Sequence, residues 1–378
     1  MGAEIVVIGG GVGGTIVANL VAKQTQGRAH VTIVDATGIH VYQPGFLYVA
    51  IGLEQPAALQ RPESQLLRHD VSLVIDGATR VDAAAHMVLL ESGRRLQYDH
   101  LVLATGSRTM MGEVPGGLGA YDFYTLAGAK RLFAALEAFN KGTIVIGVAG
   151  IPYKCPPAPV EFAFLLDDYL RARGIRDKTE IKLLSPLNRA FTIEATSKLV
   201  QPILAERGIE LTGFFNVESV DPVAKTVTSL EGETMGYDLL ILVPPHRGQQ
   251  VIESSRLGDE RGWVPVDKNT LKHAQLPDIW AIGDTTSIPI SKSGSVAHYE
   301  ATVAAAEIAA EVKGEAPPAH VYDGKVMCFL ETGQGKATTI RFDYDHPPVS
   351  PSPARRWHWA KALFNKTYWH TVPQGRLP

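Results

Sequence analysis

Cys155 and Cys328 are the only thiols in the 378-residue chain, and neither stands in an ordinary apolar run. Cys155 lies in Ile151-Pro-Tyr-Lys-Cys-Pro-Pro-Ala-Pro-Val-Glu161, a loop stiffened by proline. Cys328 lies in Gly324-Lys-Val-Met-Cys-Phe-Leu-Glu-Thr-Gly-Gln-Gly335. A thiolate attacks sulfur readily, and two cysteines brought together from distant segments could cycle through a disulfide or a polysulfide bridge. Apart, each would be a small buried hydrophobe. Lys154 is a cation of the kind that lowers a neighbouring thiol's pKa and favours the thiolate.

The elements that must position these residues can be read from glycine spacing. The apolar strand Glu4-Ile-Val-Val-Ile breaks into Gly9-x-Gly11-x-x-Gly14 and then a helix; a second strand, His30 to Val34, ends at Asp35. That order is a dinucleotide-binding unit: Gly9 for the turn, Gly11 for the approach of a pyrophosphate, Gly14 for helix-strand packing, Asp35 for the ribose. The pattern then repeats. Gly93 to Gly106, containing Tyr98-Asp99, matches Gly232 to Pro245, containing Tyr237-Asp238, and Thr143 to Gly150 matches Ile5 to Val12. Two features shifted by nearly the same distance imply a duplicated domain. A third signature, Pro277-Asp-Ile-Trp-Ala-Ile-Gly-Asp284, precedes a long alanine-rich helix from about Val296 to Lys313. Its N-terminus is expected to face the cofactor, with Asp284 at the ribityl or phosphate part. Ala104-Thr105-Gly106 and Gly283-Asp284, taken with the first fingerprint, resemble the FAD/NAD-linked reductase superfamily. The resemblance implies FAD as cofactor.

In the second copy the fingerprint positions fall on Gly147, Ala149 and Pro152. A methyl group and a missing N–H there argue that the nicotinamide site is disabled. Residues 1 to 154 contain no cysteine, so FAD is expected to be held non-covalently. Lys154-Cys155-Pro-Pro-Ala-Pro, Val243-Pro-Pro-His-Arg247, Lys292-Ser-Gly294 and Cys328-Phe-Leu-Glu-Thr-Gly resemble the sulfide:quinone oxidoreductases and the related flavocytochrome c sulfide dehydrogenase flavoprotein. The resemblance implies sulfide as donor, a membrane quinone as acceptor, and Cys155 and Cys328 as the pair that carries sulfur. It assigns proton handling to Glu161. Lys292 is expected to stabilise reduced flavin, and His298 to lie near flavin and quinone. A third cysteine carried by many members is absent.

The expected fold is α/β, two tandem Rossmann-like domains with a C-terminal β-hairpin and helix. Residues 1–113 and 246–318 form the FAD domain, 114–245 the second domain with its degenerate NAD site, and 319–378 a flavin-capping and membrane-association region. A net charge of −3 argues against nucleic acid as a partner. No signal peptide or stretch long enough to span a bilayer is read. From His346 onward there is no acid, and Ala354 to Trp369 mixes three tryptophans with cations. That composition suits the headgroup boundary of a membrane. The expectation is a peripheral enzyme on the cytoplasmic side of the cell membrane, open to homo-oligomerisation, whose tail can be removed without loss of flavin. Two other readings are a type II NADH dehydrogenase and a flavin-bearing redox sensor or scaffold without turnover.

Overall fold

The computed structural model describes residues 2–376. Met1, Leu377 and Pro378, at the ends of the first and last expected regions, lie outside the described residues. The chain opens with β1 (Ala3–Ile8), α1 (Val12–Thr25), β2 (Ala29–Asp35), β3 (Val71–Ile75) and β4 (His100–Leu103). It repeats the theme with β5 (Gly142–Val148), α2 (Ala158–Ala172), β6 (Thr179–Leu184), β7 (Ile209–Thr212) and β8 (Leu239–Val243). It then returns to the first sheet through β9 (Ile279–Ala281) and α3 (Gly294–Lys313), and closes with the hairpin β10 (Val326–Gly333), β11 (Lys336–Phe342) and the helix α4 (Arg355–Thr371).

The first parallel sheet has the order β9-β4-β1-β2-β3 and the second β7-β6-β5-β8. Their central strands read as unbroken apolar runs because both faces are covered: Ile5, Val6, Val7 and Ile8 are all buried, as are Ile144, Val145 and Ile146. The duplicated Tyr-Asp pair has a structural cause. Asp99 accepts from the Glu4 N–H at 2.7 Å and Asp238 from the Thr143 N–H at 2.8 Å, so each aspartate ties down the start of its own central strand. Each copy also carries a three-stranded antiparallel sheet, Ala78–Asp82 with Met87–Leu90 and Arg95–Gln97 in the first, Val217–Asp221 with Thr226–Ser229 and Thr234–Gly236 in the second.

The C-terminal helix is bolted to the core. Tyr368 and Lys361 are buried, and the Tyr368 hydroxyl lies 2.7 Å from His40 Nε2. His40 Nδ1 in turn meets Glu63 at 3.1 Å, and Thr15 of α1 donates to the same carboxylate at 2.6 Å. Past the helix, the Pro373 carbonyl accepts from Asn19 of α1 at 2.9 Å. Removal of residues 354–378 would strip partners from fully buried polar groups in the first domain. The tail is therefore not the dispensable appendage its composition suggests.

Candidate active site

At the first domain's nucleotide edge the sequence dictates an open cradle. Gly9 has φ +110°, and a Cβ there would come within 2.4 Å of the Ala104 carbonyl oxygen. A Cβ on Gly14 would lie 1.8 Å from the Gly9 oxygen, so the turn and the helix can meet only without side chains. At Gly11 a Cβ would meet nothing within 4 Å, and no side chain caps α1 there. The uncapped N–H groups of that helix are left for a pyrophosphate. Asp35 accepts from the Gly10 N–H at 2.9 Å, which fixes the glycine turn against the end of β2. The Thr105 and Thr285 hydroxyls meet at 3.1 Å, joining Ala104-Thr105-Gly106 to Gly283-Asp284. These residues fit FAD: backbone donors, small side chains and an acid at the strand end.

The second copy departs from the first at the same place. After β1, helix α1 begins at Val12; after β5, residues 149–157 intervene before α2 begins at Ala158. Pro152 is thus not at a helix start, as the aligned spacing had implied, but inside this inserted loop. Where a second dinucleotide would lie there is a cavity of about 370 Å³, lined by Ala149, Pro152, His246, Arg247 and Arg261, with Arg247 paired to Glu113.

The inserted loop presents Cys155. Its φ is +54°, uncommon for a residue with a side chain. Two backbone bonds hold it there: the Cys155 N–H donates to the Lys292 carbonyl at 2.6 Å, and its own carbonyl accepts from Ala158 at 2.9 Å. Cys328 lies on β10, opposite Ile340 of β11, with Ser295 at the start of α3 4.0 Å from its sulfur. Both are free thiols. Burial pushes Cys155 up to about 12, a charge on Cys328 adds to that, and Lys361 works against it. Burial also raises Cys328, opposed by Ser293 and Ser295.

The expected cation is joined by a second, distant one. Lys154 Nζ donates to Gln43 at 2.8 Å, and burial lowers its pKa against the charges of Asp284, Asp122 and Cys155; Lys361, from the middle of α4, opposes the rise at Cys155. The thiol is raised, not lowered. Lys361 and Glu161 form a buried ion pair between α4 and the first turn of α2. Burial pulls Lys361 down to about 7, while the Cys155 charge favours the ammonium. The carboxylate of Glu161 against its Nζ favours the ammonium as well. Composition hid Lys361 because it stands among tail cations; the tryptophans around it read as a membrane face.

Lys292 is anchored beside Asp284. Its ammonium donates to the Asp284 carbonyl at 2.9 Å and the Thr286 carbonyl at 2.7 Å, and lies 4.0 Å over the Trp263 ring. Its position fixes the Gly283–Thr286 turn. Burial lowers its pKa, and Asp284, itself raised by burial, opposes that. His298 is buried with no partner at Nδ1 among the described residues, and burial alone takes it down to about 4, so it is neutral. Glu300, two residues on, was missed. It accepts from the Gly283 N–H, and burial pushes it up to about 8. An acid on the alanine face of α3, among buried Ala297, Ala301 and Ala304, was the available signal.

Two dinucleotide-type domains, a glycine cradle that fits FAD and a cysteine loop in place of the second fingerprint define an FAD-dependent oxidoreductase. The chain belongs to the pyridine nucleotide-disulphide oxidoreductase family, whose model matches residues 3–307. It is 26% identical over 362 residues to the mitochondrial sulfide:quinone oxidoreductase of Mus musculus, covering 93% of this chain and 80% of that protein. It is 27% identical over 391 residues to the mitochondrial sulfide:quinone oxidoreductase of Dictyostelium discoideum, covering 99% and 86%. The solved sulfide:quinone oxidoreductase of Aquifex aeolicus superposes with a TM-score of 0.89 at 24% identity, covering 99% of this chain and 92% of that one.

Proposed function

We propose that the enzyme oxidises sulfide at Cys155 and Cys328 and passes the electron pair to a membrane quinone. The observation that carries this reading is the exchange made in the second domain, where the turn that should bind a nicotinamide dinucleotide is replaced by a loop that presents Cys155, whose thiol feels the charge of Cys328. Both well-covered relatives above bear the name of that activity, in agreement.

The chemistry starts from the oxidised pair. HS⁻ attacks one sulfur of the bridge, giving a persulfide on one cysteine and a thiolate on the other. A thiolate here is unfavourable, because Cys155 is raised to about 12 by burial and by its partner. Lys361 is the cation that faces it, and Glu161 holds Lys361 in place. Closure of the persulfide onto the thiolate forms a three-sulfur bridge and releases one proton and two electrons. FAD held at the Gly9–Gly14 cradle would supply the two-electron acceptor between that pair and the quinone. Sulfide has a way in beside the loop, where a cavity of about 350 Å³ is lined by Tyr153, Pro156, Ile193, Ile290 and Phe342.

Membrane contact falls to the outer face of α4. Arg355, Trp359, Leu363, Lys366 and His370 recur at helical spacing and are exposed, Trp359 at 67% and Leu363 at 63%. The stripe suggested by the sequence, Trp357, Ala360, Phe364 and Tyr368, is instead the side turned toward the protein. Among the described residues no helix is long and apolar enough to cross a membrane. Phe364 approaches Phe329, the neighbour of Cys328, with ring centroids 6.4 Å apart. That aromatic pair, one turn from Lys361, is where the quinone ring is placed. Sulfide-dependent reduction of a short-chain quinone tests the reading: Cys328→Ser is expected to abolish it with flavin content unchanged, and an undiminished rate would overturn it.

A further inference from the structure

The loop that carries Cys155 runs straight into α2, and Cys328 stands on β10, which packs along that helix. An arginine ties the far ends of these two elements. Arg207, just past the helix Glu194–Glu206, is buried. Its Nε donates to Asp167 of α2 at 2.7 Å, its Nη1 to the Thr332 carbonyl of β10 at 3.1 Å, and its Nη2 to Asp168. Asp168 in turn accepts from the Gln334 N–H at 2.7 Å, at the tip of the hairpin. The hairpin is shaped to receive this group. Its register breaks between Glu331 and Gly333, and Gly333, Gln334 and Gly335 all have positive φ. A Cβ on Gly333 would lie 2.0 Å from Arg207 Nη1, so the guanidinium seats against bare backbone.

We propose that Arg207, with Asp168, is a positioning residue for the sulfur pair: by fixing the hairpin tip on the end of α2 it sets where Cys328 stands relative to Cys155. The inference rests on the sulfide reading above. The two arms nearly match in length. From Ala158 to Asp167 the helix rises about 14 Å at about 1.5 Å per residue, and from Cys328 to Thr332 the strand runs about 13 Å at about 3.3 Å per residue. A shift at the clamp is therefore carried along two stiff elements to the two sulfurs. Cys155 is fastened to its own arm, because its carbonyl accepts from the Ala158 N–H at 2.9 Å. Helix α4 braces the same two elements between clamp and sulfurs: Lys361 pairs with Glu161 of α2, and His358 Nδ1 lies 3.0 Å from both oxygens of Glu331 of β10. Asp167 is fully buried and also takes Arg171, at 2.9 Å, and Arg176. Of these three cations Arg207 is the one bonded to the hairpin among the described residues. A disulfide closes only when its two Cα atoms stand about 4.4–6.8 Å apart, so a small displacement of the hairpin changes how readily the bridge forms.

The test uses FAD-loaded protein equilibrated anaerobically with glutathione and its disulfide, the bridged fraction being read by thiol alkylation and mass spectrometry. In the step read, two protein thiols and one glutathione disulfide give the Cys155–Cys328 disulfide and two glutathione thiols. A misplacement of about 1 Å can cost about 10²-fold. Arg207→Ala is expected to lower the equilibrium constant for bridge formation at least about tenfold, which raises the pair's potential by about 30 mV, and to slow sulfide-driven flavin reduction. Asp168→Ala releases the Gln334 N–H but keeps the Asp167–Arg207 pair, and is expected to shift both readings the same way by less. Arg171→Ala loses a bond to the same buried carboxylate without touching the hairpin, and is expected to keep the parental constant. Asp168→Ala decides alone should Arg207→Ala not fold. A constant unchanged in Arg207→Ala and Asp168→Ala, or moved as far by Arg171→Ala, makes the cluster a packing element and overturns the positioning role, whatever happens to the melting temperature. If no ratio of glutathione to its disulfide bridges the parental pair, the sulfide reading itself fails, and this inference with it.

Discussion

Replacing Glu161 by glutamine removes the only carboxylate bonded to Lys361 among the described residues and leaves the ammonium nine-tenths buried without its counter-ion. Burial, with Cys155 opposing it, takes Lys361 from 10.5 to about 7. At about 1.4 kcal/mol per pH unit, forcing the charged form into that site costs about 5 kcal/mol below pH 7. Direct measurements on broken buried pairs give about 3–5 kcal/mol. The sign follows from the lowered value. The unfolded chain keeps the lysine protonated up to about 10.4, whereas the folded variant releases that proton near 7. The unfolded state therefore binds more protons between those limits, and stability rises with pH there. Glu161→Gln is expected to be less stable than the parent by about 3–5 kcal/mol at pH 7, and the deficit is expected to shrink by about 1.4 kcal/mol per unit up to pH 9. Glu161→Leu with Lys361→Met is expected to recover most of the loss. Urea unfolding of FAD-saturated protein at pH 7 and pH 9 measures both. A Glu161→Gln variant as stable as the parent at pH 7, or a deficit that does not change with pH, would refute the argument for this pair.

Gly11→Ala is expected to fold normally, since its methyl meets nothing within 4 Å, yet to lose at least about tenfold in FAD affinity because the methyl occupies the pyrophosphate's approach; titration of apoprotein followed by flavin fluorescence reads this. Trp359→Ala with Leu363→Ala, on the outer face of α4, is expected to abolish sedimentation with anionic liposomes while flavin content stays intact. Lys366→Ala alone is expected to weaken liposome binding by about 1 kcal/mol. Acid precipitation is expected to release yellow flavin into the supernatant, because no cysteine precedes Cys155 to tether it; colour retained in the pellet would contradict non-covalent binding.

The two domains were legible because duplication writes the same instructions twice. Gly9 and Gly14 each have a steric reason that any chain making this turn must satisfy, and the Tyr-Asp repeat marks a backbone tie found in both copies. The helix expected from Val296 begins two residues earlier, at Gly294, because Ser293 caps it by accepting from the Val296 N–H. Lys361, Glu331 and Tyr368 were not legible, because their meaning comes from partners 200, 27 and 328 residues away. A lysine among tail cations looks like a surface lysine until α4 is placed across α2. Lys154 adjoins Cys155 along the chain, but adjacency did not reveal its hydrogen-bond partner, Gln43. The imperfect amphipathicity of Ala354 to Trp369 was an unused clue: a helix with Trp359 on one side and Tyr368 on another has two faces to satisfy, one against the protein and one outside.

Anaerobic stopped-flow of the FAD-loaded protein against sulfide and, separately, NADH addresses the central claim with the fewest intervening assumptions. If the cysteine loop has replaced the nicotinamide site, sulfide bleaches the flavin band rapidly and NADH leaves it oxidised over the same interval. Rapid bleaching by NADH at micromolar concentration, with sulfide inert, would contradict the account.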